Sequence, residues 1–296
     1  MRTPLPALLL RAALASPFKR PSTHPPARNV LTTTPTTPDP HHLAAYNAVC
    51  GYPDRGGTLP LTYPHVLAFP LTMRLMAARD FPLPLLGLVH TSIEITRHRP
   101  LPATQELQLS VRTEKLTPHR RGTEATLTIE AASRDGELLW ESSSTYLARH
   151  RHGTHQRPTE TPTPAPAGTH WHLPPDLGRR YASVSGDRNP IHLHPLTARP
   201  FGFPHAIAHG MWTIARCTAE HGDGSEVESE GEGATYLKAD FKAPVPLPST
   251  VTYTAHGSSA FELRSATGRP HLTGVLTREP SAAPPSDPQA PPTRSS

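Results

Sequence analysis

The chain repeats itself, and a duplicated order of signals restricts its possible folds more than any single motif does. Tyr46-Asn47-Ala48-Val49-Cys50-Gly51 recurs 135 positions later as Tyr181-Ala182-Ser183-Val184-Ser185-Gly186. Pro64-His65-Val66-Leu67-Ala68 recurs 140 positions later as Pro204-His205-Ala206-Ile207-Ala208, and Pro100-Leu101-Pro102-Ala103-Thr104 recurs 146 positions later as Pro246-Leu247-Pro248-Ser249-Thr250. Three matches in one order, at offsets that grow by a few residues, read as a duplicated unit with short loop insertions. The patterning around them agrees. Residues 42–49 and 66–78 read as a short and a longer helix. After them Leu107, Leu109 and Val111, then Ala125, Leu127, Ile129 and Ala131, alternate with polar residues as half-buried antiparallel strands do. In the second half the helices fall at 176–184 and 207–220, the latter closed by Gly222, and Val251, Tyr253 and Ala255 alternate with Thr252 and Thr254. The fold expected is α+β: two duplicated units, each an antiparallel sheet wrapped around one central helix, packed as a pseudo-dimer.

Composition supplies the boundaries. Proline accounts for 38 of the 296 residues, and the stretches 16–40, 153–168 and 281–296 are rich in Pro with Thr, Ser or Gly. This divides the chain into a largely irregular leader (1–40), a first domain (41–152), a Pro/Thr-rich linker (153–168), a second domain (169–280) and a disordered tail (281–296). No apolar run approaches the length that crosses a bilayer, so no membrane partner is expected. Arg2 ahead of Leu8-Leu9-Leu10 faintly resembles an export signal, but Arg11 interrupts the apolar run and a short leader is the better reading. Two cysteines, Cys50 and Cys217, are too few for a disulfide framework and lack paired metal-ligand spacing, which fits a reducing, cytoplasmic compartment. The net charge of +5 suits an anionic partner without implying nucleic acid.

Chemistry concentrates between Tyr181 and Met211. Asp187, Asn189 and His192 share a turn set by Gly186 and Asn189-Pro190. A carboxylate and an imidazole converging on one water can hold it for attack and shuttle its protons near neutral pH. Ile207-Ala208-His209-Gly210-Met211 opens the longer helix, whose free amides and positive dipole end can receive an oxygen that becomes negative during reaction. Gly210 lets a substrate approach that backbone, and His209 beside it is a candidate substrate contact. An Asp/His pair facing an oxyanion site suits addition or removal of water across a double bond conjugated to a carbonyl. The repeat provides an internal control. At the offset of 135, Tyr52, Asp54 and Gly57 stand where the second half has Asp187, Asn189 and His192. At 140, Phe69 and Pro70 stand for His209 and Gly210, and proline has no amide to give. One half is therefore expected to do the chemistry and the other to shape the pocket.

These residues also resemble a known family. Tyr181-x-x-Val184-Ser185-Gly186-Asp187-x-Asn189-Pro190-Ile191-His192, with Ala198, Gly202-Phe203 and Ile207-Ala208-His209-Gly210-Met211, resembles the hydratase 2 motif of the MaoC-like dehydratases. Pro60-Leu61-Thr62-Tyr63-Pro64 and Gly87-Leu88-Val89-His90 in the first half resemble the two-domain actinobacterial 3-hydroxyacyl-thioester dehydratases. The resemblance implies a double hot-dog fold and reversible hydration of trans-2-enoyl thioesters to (R)-3-hydroxyacyl thioesters within fatty acid metabolism, without a metal or redox cofactor. It implies that Asp187 and His192 activate the water, Asn189 orients them and the Gly210 amide polarises the thioester carbonyl.

Several other residues are candidates on weaker grounds. Arg121, with Arg120 at a hairpin tip, and Lys242, beside a proline run, are candidate contacts for the phosphates of coenzyme A or the arm of a carrier protein. His150, His152 and His155 sit at a linker edge without a scaffold, and the acidic run 223–232 reads as a solvated loop. The expected partner is an acyl-CoA or acyl-carrier-protein thioester, on a monomeric pseudo-dimer or a homodimer. The alternatives are a non-catalytic acyl-thioester-binding partner of a synthase, or a thioesterase on the same fold.

Overall fold

The computed structural model describes residues 19, 29–53, 57–149, 167–222 and 232–280. The tail, nearly all of the expected linker, the His150–His155 cluster, Asp54 and most of the acidic run lie outside the described residues. Among the described residues, no helix is long and apolar enough to cross a membrane.

Each half supplies five strands of one ten-stranded sheet. The first contains β1 (Val30–Thr32), α1 (Pro40–Cys50), α2 (Tyr63–Met76), β2 (Leu88–Arg97), β3 (Gln108–His119), β4 (Gly122–Ala132) and β5 (Leu138–Arg149). The second contains β6 (Thr169–Leu173), α3 (Leu177–Ser185), the one-turn helices α4 (Pro190–Leu193) and α5 (Pro195–Ala198), β7 (Ala206–Ile207), α6 (Gly210–His221), β8 (Glu232–Phe241), β9 (Pro246–Leu247), β10 (Ser249–His256), β11 (Ala260–Ser265) and β12 (Pro270–Pro280). The strand order is β1-β3-β4-β5-β2-β8-β12-β11-β10-β6. Read outward from the β2/β8 seam, the two sides follow the same connectivity, so the expected duplication is present in the topology. The seam is antiparallel, running from Ser92 opposite Asp240 to Arg97 opposite Thr235. The smaller pair β7/β9 stands apart from this sheet.

Local chemistry explains the helices. Asp39 caps α1 by accepting from the His41 amide at 2.8 Å, and Pro40 occupies a first-turn position where no amide is required. Gly51 and Gly186 end α1 and α3 in left-handed backbone, with φ of 78° and 73°, a region that only glycine enters freely. The halves then lock across the middle. Trp212 Nε1 donates to the Val49 carbonyl at 2.9 Å, and the His42 ring bonds the Val184 carbonyl at 2.7 Å. Both halves contribute to one continuous apolar core, from Leu43 and Tyr46 through Ile93 and Ile95 to Trp212, Ile214 and Leu237.

Two expectations need correction. Val30–Thr32, assigned to the irregular leader, forms an edge strand on β3, just as β6 lies on β10. The second repeat match is not structural: Pro64 and His65 lie in the first turn of α2, whereas Pro204 and His205 precede β7 and α6. Matching the helix starts instead brings Thr62 and Tyr63 onto His209 and Gly210, 147 positions apart. Phe69 and Pro70 are inside α2, so they are not the counterparts of His209 and Gly210.

Candidate active site

The site begins where α3 ends. Past Gly186, the Asp187 amide donates to Ser185 Oγ at 3.2 Å, and Asp187 Oδ1 accepts from the Asn189 amide at 3.0 Å. Asn189 Oδ1 in turn caps α4, accepting from the Ile191 amide at 3.4 Å. His192, buried at 8% exposure, directs Nδ1 to the Ile207 carbonyl at 2.8 Å. Ile207 is held in place by β7/β9 pairing opposite Pro246. Gly178, inside α3, makes this approach possible, because a Cβ there would lie 1.9 Å from the His192 carbonyl oxygen. An isolated glycine in a helical pattern was the signal for such a close approach.

His209 precedes α6 and is only 3% exposed. Its Nε2 donates to the Asp187 backbone carbonyl at 2.9 Å and lies 3.9 Å from the Asp187 carboxylate. Its ring stacks on that of His192 at 3.7 Å between centroids, and Tyr181 tilts against it at 4.9 Å. His209, expected as a substrate contact, is also a strut joining Asp187 to His192. Burial pushes His192 below the ordinary histidine range, while the Asp187 carboxylate and the Ile207 carbonyl oppose the shift. Burial, helped by His192 and opposed by Asp187, pushes His209 down to about 3. Both rings are therefore neutral near pH 7. With its hydrogen on Nδ1, His192 presents a bare Nε2, the form a general base requires.

Gly210 is the first residue of α6, and no side chain caps that helix start. A Cβ at Gly210 would come within 3.0–3.3 Å of the Phe241 ring. Glycine keeps the first-turn amides approachable and leaves the positive end of the helix to an incoming oxygen. From the first half, Phe69 of α2 stands 3.6 Å from where a Gly186 Cβ would project, so α2 packs against the turn that leads to Asp187.

Asp187, His192 and His209 also bring one ligand atom each within 4.8 Å of one another, the spacing of a cation site. Two of their ring nitrogens already serve carbonyls. The remaining candidates stand on other elements. Arg121 is on the β3/β4 turn, where its amide donates to His119 Nδ1 at 3.2 Å. Lys242 forms an exposed ion pair with Asp240 at 3.0 Å.

One antiparallel sheet built from two duplicated halves, each with a longer helix, defines a double hot-dog protein. Solved structures agree: the chain resembles HtdX of Mycobacterium tuberculosis at a TM-score of 0.70 and 36% identity, covering 83% of this chain and 98% of that one. It also superposes, at a TM-score of 0.51 and 13% identity, on a second M. tuberculosis protein with a double hotdog fold, covering 86% of this chain and 96% of that one. Residues 150–266 match the MaoC like domain. Over 277 residues, 90% of this chain and 96% of the relative, the sequence is 36% identical to 3-hydroxyacyl-thioester dehydratase X of M. tuberculosis. The chain belongs to the MaoC-like dehydratase family and is a hydro-lyase.

Proposed function

We propose that this hydro-lyase interconverts trans-2-enoyl and (R)-3-hydroxyacyl thioesters of coenzyme A or a carrier protein, using a water held by Asp187 and His192. In the hydration direction His192 Nε2 takes a proton from the water as its oxygen bonds to C3. The double-bond electrons move through C2 and C1 to the thioester oxygen, which the Gly210 amide at the start of α6 stabilises as an enolate. The enolate collapses as C2 takes a proton back from the Asp187/His192 pair. Asn189 orients the pair from its cap on α4. The steps use side chains, backbone amides and water, and one chain carries both walls of the chamber. Two buried free cysteines fit a cytoplasmic setting.

The observation that carries this reading is the convergence of the Asp187 carboxylate with a neutral, tautomerically fixed His192. The test follows loss of enoyl absorbance with crotonyl-CoA, longer enoyl-CoAs and enoyl-carrier substrates. Wild-type protein is expected to turn over, and Asp187→Asn and His192→Ala to be inactive with the fold retained. Activity surviving in both variants would remove the assigned roles, and thiol release in place of hydration would make the protein a thioesterase.

A further inference from the structure

The half without the Asp/His pair brings polar rings of its own to the chamber. His65 lies one helical turn before Phe69 on α2, so the two share a face. Phe69 meets Gly186 on the Asp187 loop, and the Asp187 carboxylate acts on the His65 ring. From His65 a chain of rings crosses to the other end of the site. His65 stacks toward His90 of β2 at 6.3 Å, and His90 lies 4.5 Å from Tyr146 of β5 and 4.8 Å from Phe241 of β8. Phe241 is the ring that borders Gly210. The array thus runs from the carboxylate, where water would join C3, to the helix start, where the thioester oxygen would sit.

Two atoms of this array are unaccounted for. His65 Nδ1 and His90 Nε2 are enclosed, and neither has a hydrogen-bond partner among the described residues. Burying a polar atom unpaired costs roughly 1–3 kcal/mol, so folded chains keep few of them unless a ligand supplies the partner. Burial holds both rings neutral, His65 at about 4 and His90 at about 3. A neutral imidazole has one N–H and one bare nitrogen, and can pair with a hydroxyl or a carbonyl without placing a charge beside the acyl group.

We infer that His65 and His90 are substrate-positioning residues that hydrogen-bond the C1–C3 segment of the acyl thioester from the wall opposite Asp187 and Gly210. The inference rests on the proposed hydratase reading and adds the first half to its machinery. His65 serves the C3 hydroxyl end and His90 the thioester end, so the polar head is held from both sides while the reaction proceeds on one.

His65→Phe and His90→Phe keep the stacked rings and remove the nitrogens, while His65→Gln and His90→Gln restore a hydrogen-bonding group. With crotonyl-CoA and 3-hydroxybutyryl-CoA as substrates, each Phe variant is expected to lose about tenfold or more in kcat/KM, the worth of one well-made hydrogen bond. The thermal midpoint should stay within a few degrees of wild type, and each Gln variant should recover part of the loss. Wild-type kcat and KM in both Phe variants, in a protein that Asp187→Asn inactivates, would overturn the inference and leave the hydratase reading intact. Losses that track thermal destabilisation and are not rescued by Gln would also overturn it, because packing alone would then explain them. Full activity in Asp187→Asn would remove the hydratase reading itself and this inference with it.

Discussion

The halves end their first helix alike and part at the next residue. After Gly51 comes Tyr52, whose hydroxyl lies 3.2 Å from Thr62 Oγ1 and 2.7 Å from Thr218 Oγ1. After Gly186 comes Asp187, whose side chain keeps 30% exposure and faces His209 across 3.9 Å. Thr62 and His209 occupy the same place, immediately before the longer helix. One loop therefore closes on a satisfied hydroxyl cluster, and the other stays open with a carboxylate beside two neutral imidazoles. The first arrangement secures the packing of the halves. The second leaves polar groups less fully paired, at some cost in stability.

Substitutions at matched positions put that contrast at risk. Asp187→Asn should lower kcat by about 10^3-fold, within the range of general acid–base catalysis, with little change in melting temperature. Tyr52→Phe should leave turnover near wild type and cost about 1–3 kcal/mol in denaturant unfolding, because Thr62 and Thr218 lose a buried partner. An activity loss at Tyr52 would show that the two loops are less divided in role than their contacts indicate.

Gly210→Ala should reduce kcat/KM by about 10- to 100-fold in steady-state assays, because the new methyl competes with the Phe241 ring for the approach to the amide. Gly51→Ala and Gly186→Ala should each cost about 1–2 kcal/mol of stability for placing a side chain in left-handed backbone. Only the second should also reduce turnover, since only that turn carries the carboxylate.

The remaining effect is in pH. His65, His90, His192 and His209 all have folded pKa values depressed below the ordinary 6.5. The unfolded chain therefore takes up protons that the native state refuses, and stability is full above pH 6.5 and falls on acidification toward pH 4 and below. Each such ring contributes up to about 1.4 kcal/mol per pH unit in that window. His209→Gln should flatten the slope of unfolding free energy against pH by about one proton, and an unchanged slope would contradict the enclosed, neutral ring.

The duplication and the turn chemistry could be read locally. Gly186 signals its own left-handed stop, and Asn189-Pro190 signals the cap and first turn of α4, so the Asp187–His192 loop was placed from residues alone. The register of the longer helices was not. A Pro-His pair recurs in both halves, yet Pro64 enters a helix while Ala206 and Ile207 are drawn into a strand by β9, a partner forty residues away that no local pattern announces. For the same reason Val30–Thr32, only three residues long and inside a proline-rich stretch, becomes a strand only because β3 offers it an edge. His209 was visible as a residue of the site, but its role as a strut depends on stacking that spacing cannot specify. His65 was visible only as part of a repeat, and His90 only in the Gly87–His90 stretch of the family resemblance, because their convergence needs α2, β2 and β8 to meet across the seam.

That seam has an evolutionary consequence. A homodimer built from one such unit must encode both walls of its chamber in a single gene product, and every substitution is made twice. Joined through β2 and β8 in one polypeptide, the walls are delivered in fixed stoichiometry and can be edited separately. The first copy can change its side chains while the second keeps its Asp187–His192 loop unaltered.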